Sequence, residues 1–155
     1  MTQQESGQGR DWRAEAEDLR IRAPRHILFL CVANSARSQL AEGIARALAP
    51  PGVRISSAGS RPTRVRPQAV AVLEEVEIDT SGQRSKGIDE VERPVDAVVT
   101  LCAEEVCPVW LGSALRIHWE LPDPASVDGT DAEKLRAFRE VRDELRRRLA
   151  VVFGA

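Results

Sequence analysis

Cys31 and Arg37 close a C-x5-R spacing in Cys-Val-Ala-Asn-Ser-Ala-Arg-Ser (31–38), directly after an apolar run, HILFL (26–30), and directly before a helical pattern. A tight loop between a strand and a helix turns successive backbone N–H groups inward, forming an anion nest. The helix N-terminus adds partial positive charge. The planar fork of Arg37 matches two oxygens of a tetrahedral oxyanion. Val32, Ala33, Asn34, Ser35, Ala36, Arg37 and Ser38 are therefore the expected oxyanion cradle. The same surroundings favour the thiolate form of Cys31, a nucleophile facing the bound anion. Asn34 suits a left-handed turn and can brace the loop through its side chain. Ser35 and Ser38 can donate to the sulfur or to a leaving oxygen. C-x5-R alone is a common pattern; the strand before it and the helix after it make it specific.

Two further cysteines stand at 102 and 107. The run VDAVVTL (95–101) predicts a strand ending at Cys102, at the same sheet edge as Cys31. A disulfide needs Cα atoms within about 7 Å. A regular helix places i and i+5 poorly for this, so a Cys102–Cys107 bridge requires a bent or moving segment. Three readings stay open: a redox pair, two small buried apolar residues, or zinc ligands. For zinc, two Cys with His118 or Cys31 make a poor set. Asp123, before Pro124, is either a turn residue or a general acid close to the thiolate.

The elements needed to position these groups are legible. The chain has 155 residues and a net charge of −2. That length supports one domain with a real core, and that charge gives no basic nucleic-acid surface. Long apolar runs are absent, so no membrane span is expected. The polar N-terminus lacks the apolar stretch of a secretory signal, so a cytoplasmic location is the default. Residues 1–24 read as a polar, flexible extension with a short helical stretch at Arg13–Leu19, and residues 25–155 as a single domain. Strands are expected at His26–Leu30, Val53–Ser57, Val95–Leu101 and Leu115–Trp119. Helices are expected at Ser38–Leu48, from Pro67 to about Val76, and from Asp131 to about Val152. Alternating strands and helices predict an α/β domain with an open parallel sheet covered on both faces. Ligands bind such sheets beyond the carboxyl ends of the strands, where Cys31 lies.

The segment CVANSARSQLAEG (31–43) resembles the signature of thiol-dependent arsenate reductases built on the low-molecular-weight tyrosine phosphatase fold. The likeness continues through Ser57-Ala58-Gly59, Gln83-Arg84-Ser85-Lys86, VVTLC (98–102), Cys107-Pro108 and HWELPDPA (118–125), about residues 25–150. Ala33 departs from it, since many relatives have Gly there, and requires a backbone conformation that accepts a Cβ. The resemblance implies a four-stranded sheet and a thiol relay. Cys31 attacks arsenate, Cys102 attacks Cys31 as arsenite leaves, and Cys107 attacks Cys102. The resulting Cys102–Cys107 disulfide is then reduced by thioredoxin, or by glutaredoxin with glutathione. It also implies Asp123 as general acid. Asn34, Glu42 and Ser57 match a potassium site of some relatives. Lys86 stands where that site would want an acidic or neutral oxygen, so its ammonium is expected in place of potassium. No tightly bound cofactor or metal is expected.

Arsenate reduction, serving arsenate detoxification, is thus the expected function. A phosphotyrosine phosphatase would also use Cys31, Arg37 and Asp123. It has no need of Cys102 and Cys107 beyond protection from oxidation, and it wants aromatic walls around the substrate ring. Relatives of that class carry tyrosines after Asp-Pro, whereas this chain has no tyrosine. A redox sensor or oxyanion-binding module would keep the nest and thiols without turnover. A phosphocarrier of related fold would not need Arg37.

Overall fold

The computed structural model describes residues 11–103 and 106–155. After a helix α1 (Trp12–Arg22), the chain runs β1 (His26–Cys31), α2 (Arg37–Leu48), β2 (Arg54–Gly59), α3 (Pro67–Glu74), β3 (Ala97–Thr100), β4 (Leu115–His118) and α4 (Asp131–Phe153). The sheet is fully parallel with strand order β2-β1-β3-β4. Every residue of β1 is buried, as expected of a central strand with no solvent face. Its side chains alternate between two cores. Ile27 and Phe29 join the larger one, with Leu40 and Ile44 of α2, Val72 of α3 and Phe138 and Leu145 of α4. Leu28 and Leu30 join the smaller one, with Val91, Val95, Val98 and Trp110. That second face is covered by a 3-10 turn at Ile88–Glu90 and the chain around Trp110.

The register sets where chemistry happens. Cys31 pairs with Gly59 at the carboxyl ends of β1 and β2. A Cβ on Gly59 would sit 2.3 Å from the Val32 carbonyl oxygen, so only glycine lets β2 pass the start of the loop. Pro67 opens α3 at its first turn. Thr130 and Glu133 form a reciprocal cap on α4, and Gly154 closes it in the left-handed conformation.

The expectation of a flexible extension over 1–24 is amended from Asp11 onward; its first ten positions lie outside the described residues. Asp11 caps α1, whose Ala16 and Leu19 are buried in the larger core. Arg148 of α4 lies 5.2 Å from the Trp12 ring and 5.5 Å from the Trp119 ring, stacking α1 onto the domain. The polar composition hid this because α1 buries only a narrow stripe. Among the described residues no helix is long and apolar enough to cross a membrane.

Candidate active site

The loop between β1 and α2 is held from outside by its carbonyls. Val32 O accepts from Arg61 N at 2.9 Å, Ala33 O from Thr63 N at 3.1 Å, and Ser35 O from Arg66 N at 2.9 Å. Asn34 O accepts from Gln39 Nε2 at 3.0 Å, and Ala33 O also from Ser85 Oγ at 3.1 Å. Carbonyls drawn outward leave the N–H edge of the loop to the inside, the arrangement an anion nest requires. Asn34 is fully buried with φ +49°. Its Nδ2 donates to Ser38 Oγ (2.7 Å) and Ser57 Oγ (2.9 Å), and its Oδ1 accepts from Lys86 N (2.9 Å). Ala33 is not among the residues with positive φ, so its Cβ costs nothing.

Cys31 is a free thiol, buried, with Sγ 2.9 Å from Ser38 Oγ. Arg37, the first residue of α2, is also buried. Its Nη1 donates to Leu101 O (3.3 Å) and Leu121 O (3.1 Å), and its Nη2 lies 3.9 Å from Asp123 Oδ2. Ala36, the N-cap, supplies no side-chain cap, so the first turn of α2 opens toward the loop. Cys31, Val32, Ala33, Ser35, Ala36, Arg37 and Asp123 line one cavity of about 880 Å³. Asn34 and Ser38 stand behind it as braces. The Asp123 side chain is 39 % exposed; it sits at the rim and caps the short turn Pro124–Ser126.

Behind the loop the polar chain continues. Ser57 Oγ donates to Glu42 Oε1 at 2.5 Å, and Glu42 is fully buried. Arg46 Nη2 lies 2.7 Å from Glu42 Oε2, and Lys86 Nζ 4.0 Å from Oε1. Burial holds the Lys86 ammonium below its ordinary pKa, with Glu42 pulling it back up.

Cys102 and Cys107 form a disulfide, with Cα atoms 5.6 Å apart. The described residues between them are in no regular helix. Cys102 is buried, one residue beyond the Leu101 carbonyl that Arg37 binds. Cys107 is half-buried and lines a separate cavity with Thr100, Trp110 and His118. The structure therefore gathers Cys31, Arg37 and Asp123 around one space and sets Cys107 apart. His118 bonds Thr100 Oγ1 through Nδ1 at 2.6 Å. Among the described residues no cluster of three or more His, Cys, Asp or Glu could hold a metal.

The sequence model of the low-molecular-weight phosphotyrosine protein phosphatase family matches residues 26–154. The chain belongs to this family. Within it, the chain is 44% identical over 126 residues to an arsenate reductase of Halalkalibacterium halodurans, covering 79% of this chain and 91% of that one. It is 36% identical over 128 residues to a glutaredoxin arsenate reductase of Synechocystis sp., covering 81% and 93%. A solved arsenate reductase in the phosphate-binding state matches with TM-score 0.69 at 34% identity, over 84% of this chain and 97% of that one. A thioredoxin-dependent arsenate reductase of Corynebacterium glutamicum matches with TM-score 0.58 at 28% identity, over 87% and 67%. Helix α1 lies outside the span shared with the phosphatase family.

Some of this family site escaped the sequence reading. Glu120, Pro122, Ser126 and Val127 line the same cavity, and only their closeness to Asp123 in the chain hints at it. Gln39 is buried and bridges Asn34 O and Arg84 O, while Gln83 Nε2 bonds Gln39 Oε1 at 2.8 Å. Their signal was a pair of amides in the motif segments, too ordinary to single out.

Proposed function

We propose that this chain reduces arsenate to arsenite by a three-thiol relay, using thioredoxin as the reductant, in the cytoplasm and without a bound cofactor. The observation that carries the reading is the division of the thiols: Cys31 free in an oxyanion loop, Cys102 and Cys107 joined in a disulfide. In the first step the Cys31 thiolate forms a bond to arsenic, and an arsenic oxygen leaves as water or hydroxide, protonated by Asp123. Cys102 then attacks the Cys31 sulfur. The electron pair of the S–As bond passes to arsenic, which falls from the +5 to the +3 state and leaves as arsenite. Cys107 attacks Cys102, Cys31 leaves as thiolate, and an external dithiol reduces the Cys102–Cys107 bond.

The reductant meets Cys107, because Cys102 is buried. Val106, Val109 and Leu111, all exposed, flank that cysteine in the chain. An apolar collar of this kind suits a protein partner better than a small charged thiol. Relatives differ on this point, one being named for glutaredoxin and one for thioredoxin. The test is arsenate-dependent NADPH oxidation driven either by thioredoxin and its reductase or by glutaredoxin, glutathione and glutathione reductase. Turnover with the first and none with the second is expected; the reverse overturns the choice of reductant, and none with either overturns the relay.

A further inference from the structure

We propose that the exposed strap at 60–66 (Ser-Arg-Pro-Thr-Arg-Val-Arg) is an electrostatic collector, in which Arg61, Arg64 and Arg66 draw doubly charged oxyanions to the mouth of the Cys31 loop. The inference rests on the loop being an oxyanion seat, not on arsenate turnover. The strap lies directly on the loop: the N–H groups of Arg61, Thr63 and Arg66 bind the carbonyls of Val32, Ala33 and Ser35. Its backbone does the bracing, which leaves its side chains without a structural task. All three arginines are exposed, and none is ion-paired among the described residues. Some other surface arginines are tied to carboxylates, as at Arg84–Glu90, Arg139–Glu75 and Arg147–Glu144, whereas these three follow one another within six residues on a segment that touches the loop.

The site has a use for such a collector. The chain carries a net charge of −2, and Glu120 and Asp123 both line the cavity. A dianion approaching that rim is repelled by two carboxylates before it reaches Arg37. Three cations on the adjoining strap oppose that repulsion. Charges one strap away from the loop act over distances comparable with the Debye length, about 10 Å at 0.1 M salt. Focused fields of this kind raise the local concentration of an anion without touching it. The three arginines therefore act on capture, and the chemical step proceeds without them.

The test uses the oxidised protein, in which Cys31 is the free thiol. Its alkylation rate is measured with anionic iodoacetate and with neutral iodoacetamide, from low to high ionic strength. At low salt the iodoacetate-to-iodoacetamide ratio falls about ten-fold in R61E/R64E/R66E and about three-fold in R61Q/R64Q/R66Q, and the differences vanish by about 0.5 M salt. In turnover the same variants raise the KM for arsenate in the same order at unchanged kcat. A ratio that stays constant at low salt overturns the proposal. Equal slowing of both reagents in the glutamine variant also overturns it, because the side chains would then brace the loop rather than gather anions. Wild-type protein without arsenate-dependent turnover would refute the reductase reading and leave the alkylation ratio standing.

Discussion

The two cysteine-bearing regions of the molecule are built on opposite principles. In loop 31–38 the carbonyls of Val32 through Ala36 each accept a protein hydrogen bond, and the Asn34 side chain makes three. In the segment from Cys102 to Val109, no described residue belongs to a helix or strand, and Val106 and Val109 stand in solvent. Buried residues bound the segment at either end. Cys102 is buried beside β3, and Trp110 is buried in the smaller core under the Arg93 guanidinium, 4.2 Å from the ring centroid. A group that stabilises charge in a reaction gains from having no freedom left to lose. A sulfur that exchanges between two partners, as the proposed relay requires, is better carried outside a regular helix or strand.

Replacing the nucleophile in the rigid region is expected to have the largest effect. Cys31→Ser lowers arsenate-dependent turnover by more than about 10⁴-fold, read as NADPH oxidation with thioredoxin and its reductase. It leaves the Cys102–Cys107 disulfide reducible by thioredoxin in the absence of arsenate. If arsenate turnover survives, the division of labour between the two regions is wrong.

The region of the second and third thiols is tested by stoichiometry. Cys107→Ser stops after one event, releasing one arsenite per chain and retaining a Cys31–Cys102 bond identifiable by mass spectrometry. Cys102→Ser releases none. Sustained turnover of Cys107→Ser with thioredoxin would break the assignment of the third thiol. In the rigid region, Asn34→Ala removes three buried hydrogen bonds from a residue at positive φ, and a loss of about 3 kcal/mol is expected in urea unfolding. An equal substitution in the segment, Val109→Ala, costs under about 0.5 kcal/mol because that side chain is exposed.

What the sequence made legible follows the same division. Loop 31–38 could be read because its function depends on residue types at fixed local spacing: a thiol, an arginine and a strand-to-helix turn. The helix starts expected at Ser38, Pro67 and Asp131 lie within one residue of those found, at Arg37, Pro67 and Asp131. The strap escaped notice because its role depends on backbone contacts from Arg61 and Arg66 to a loop some thirty residues earlier. Helix α1 was underestimated because Ala16 and Leu19 are two buried positions in an otherwise charged segment. Asp123 was placed at the site, but its 39 % exposure depends on how the rim folds and no local pattern encodes that.

A smaller effect sharpens the account of what stiffens the loop. The Lys86 ammonium lies 4.0 Å from Glu42 Oε1, and if it stands in for a potassium ion, exchanging potassium for sodium should move neither the rate nor the melting temperature of the wild type. Lys86→Met removes that charge from a buried carboxylate still paired with Arg46. A fall of about 3 °C in Tm is expected, partly restored by potassium. A potassium-dependent melting shift in the wild type would show that the ammonium does not fill this place.

The smallest effect comes from a clasp remote from both cysteine regions. Glu75, at the end of α3, accepts from Arg139 and Arg142 of α4, and these bonds hold its pKa at about 2, down from 4.5. A carboxylate with a depressed folded-state pKa stabilises the protein fully above its unfolded value and loses that contribution as pH falls through the folded one. Glu75→Gln should therefore lower the urea midpoint slightly above pH 5, with the difference from wild type shrinking as pH drops from 4.5 toward 2. Solvent screens this exposed pair, so the shift is small. Neither the Cys31 alkylation rate nor the reducibility of the Cys102–Cys107 bond should follow it. If either does, the α3–α4 packing reaches the site, and the loop owes its rigidity to more than its own hydrogen bonds.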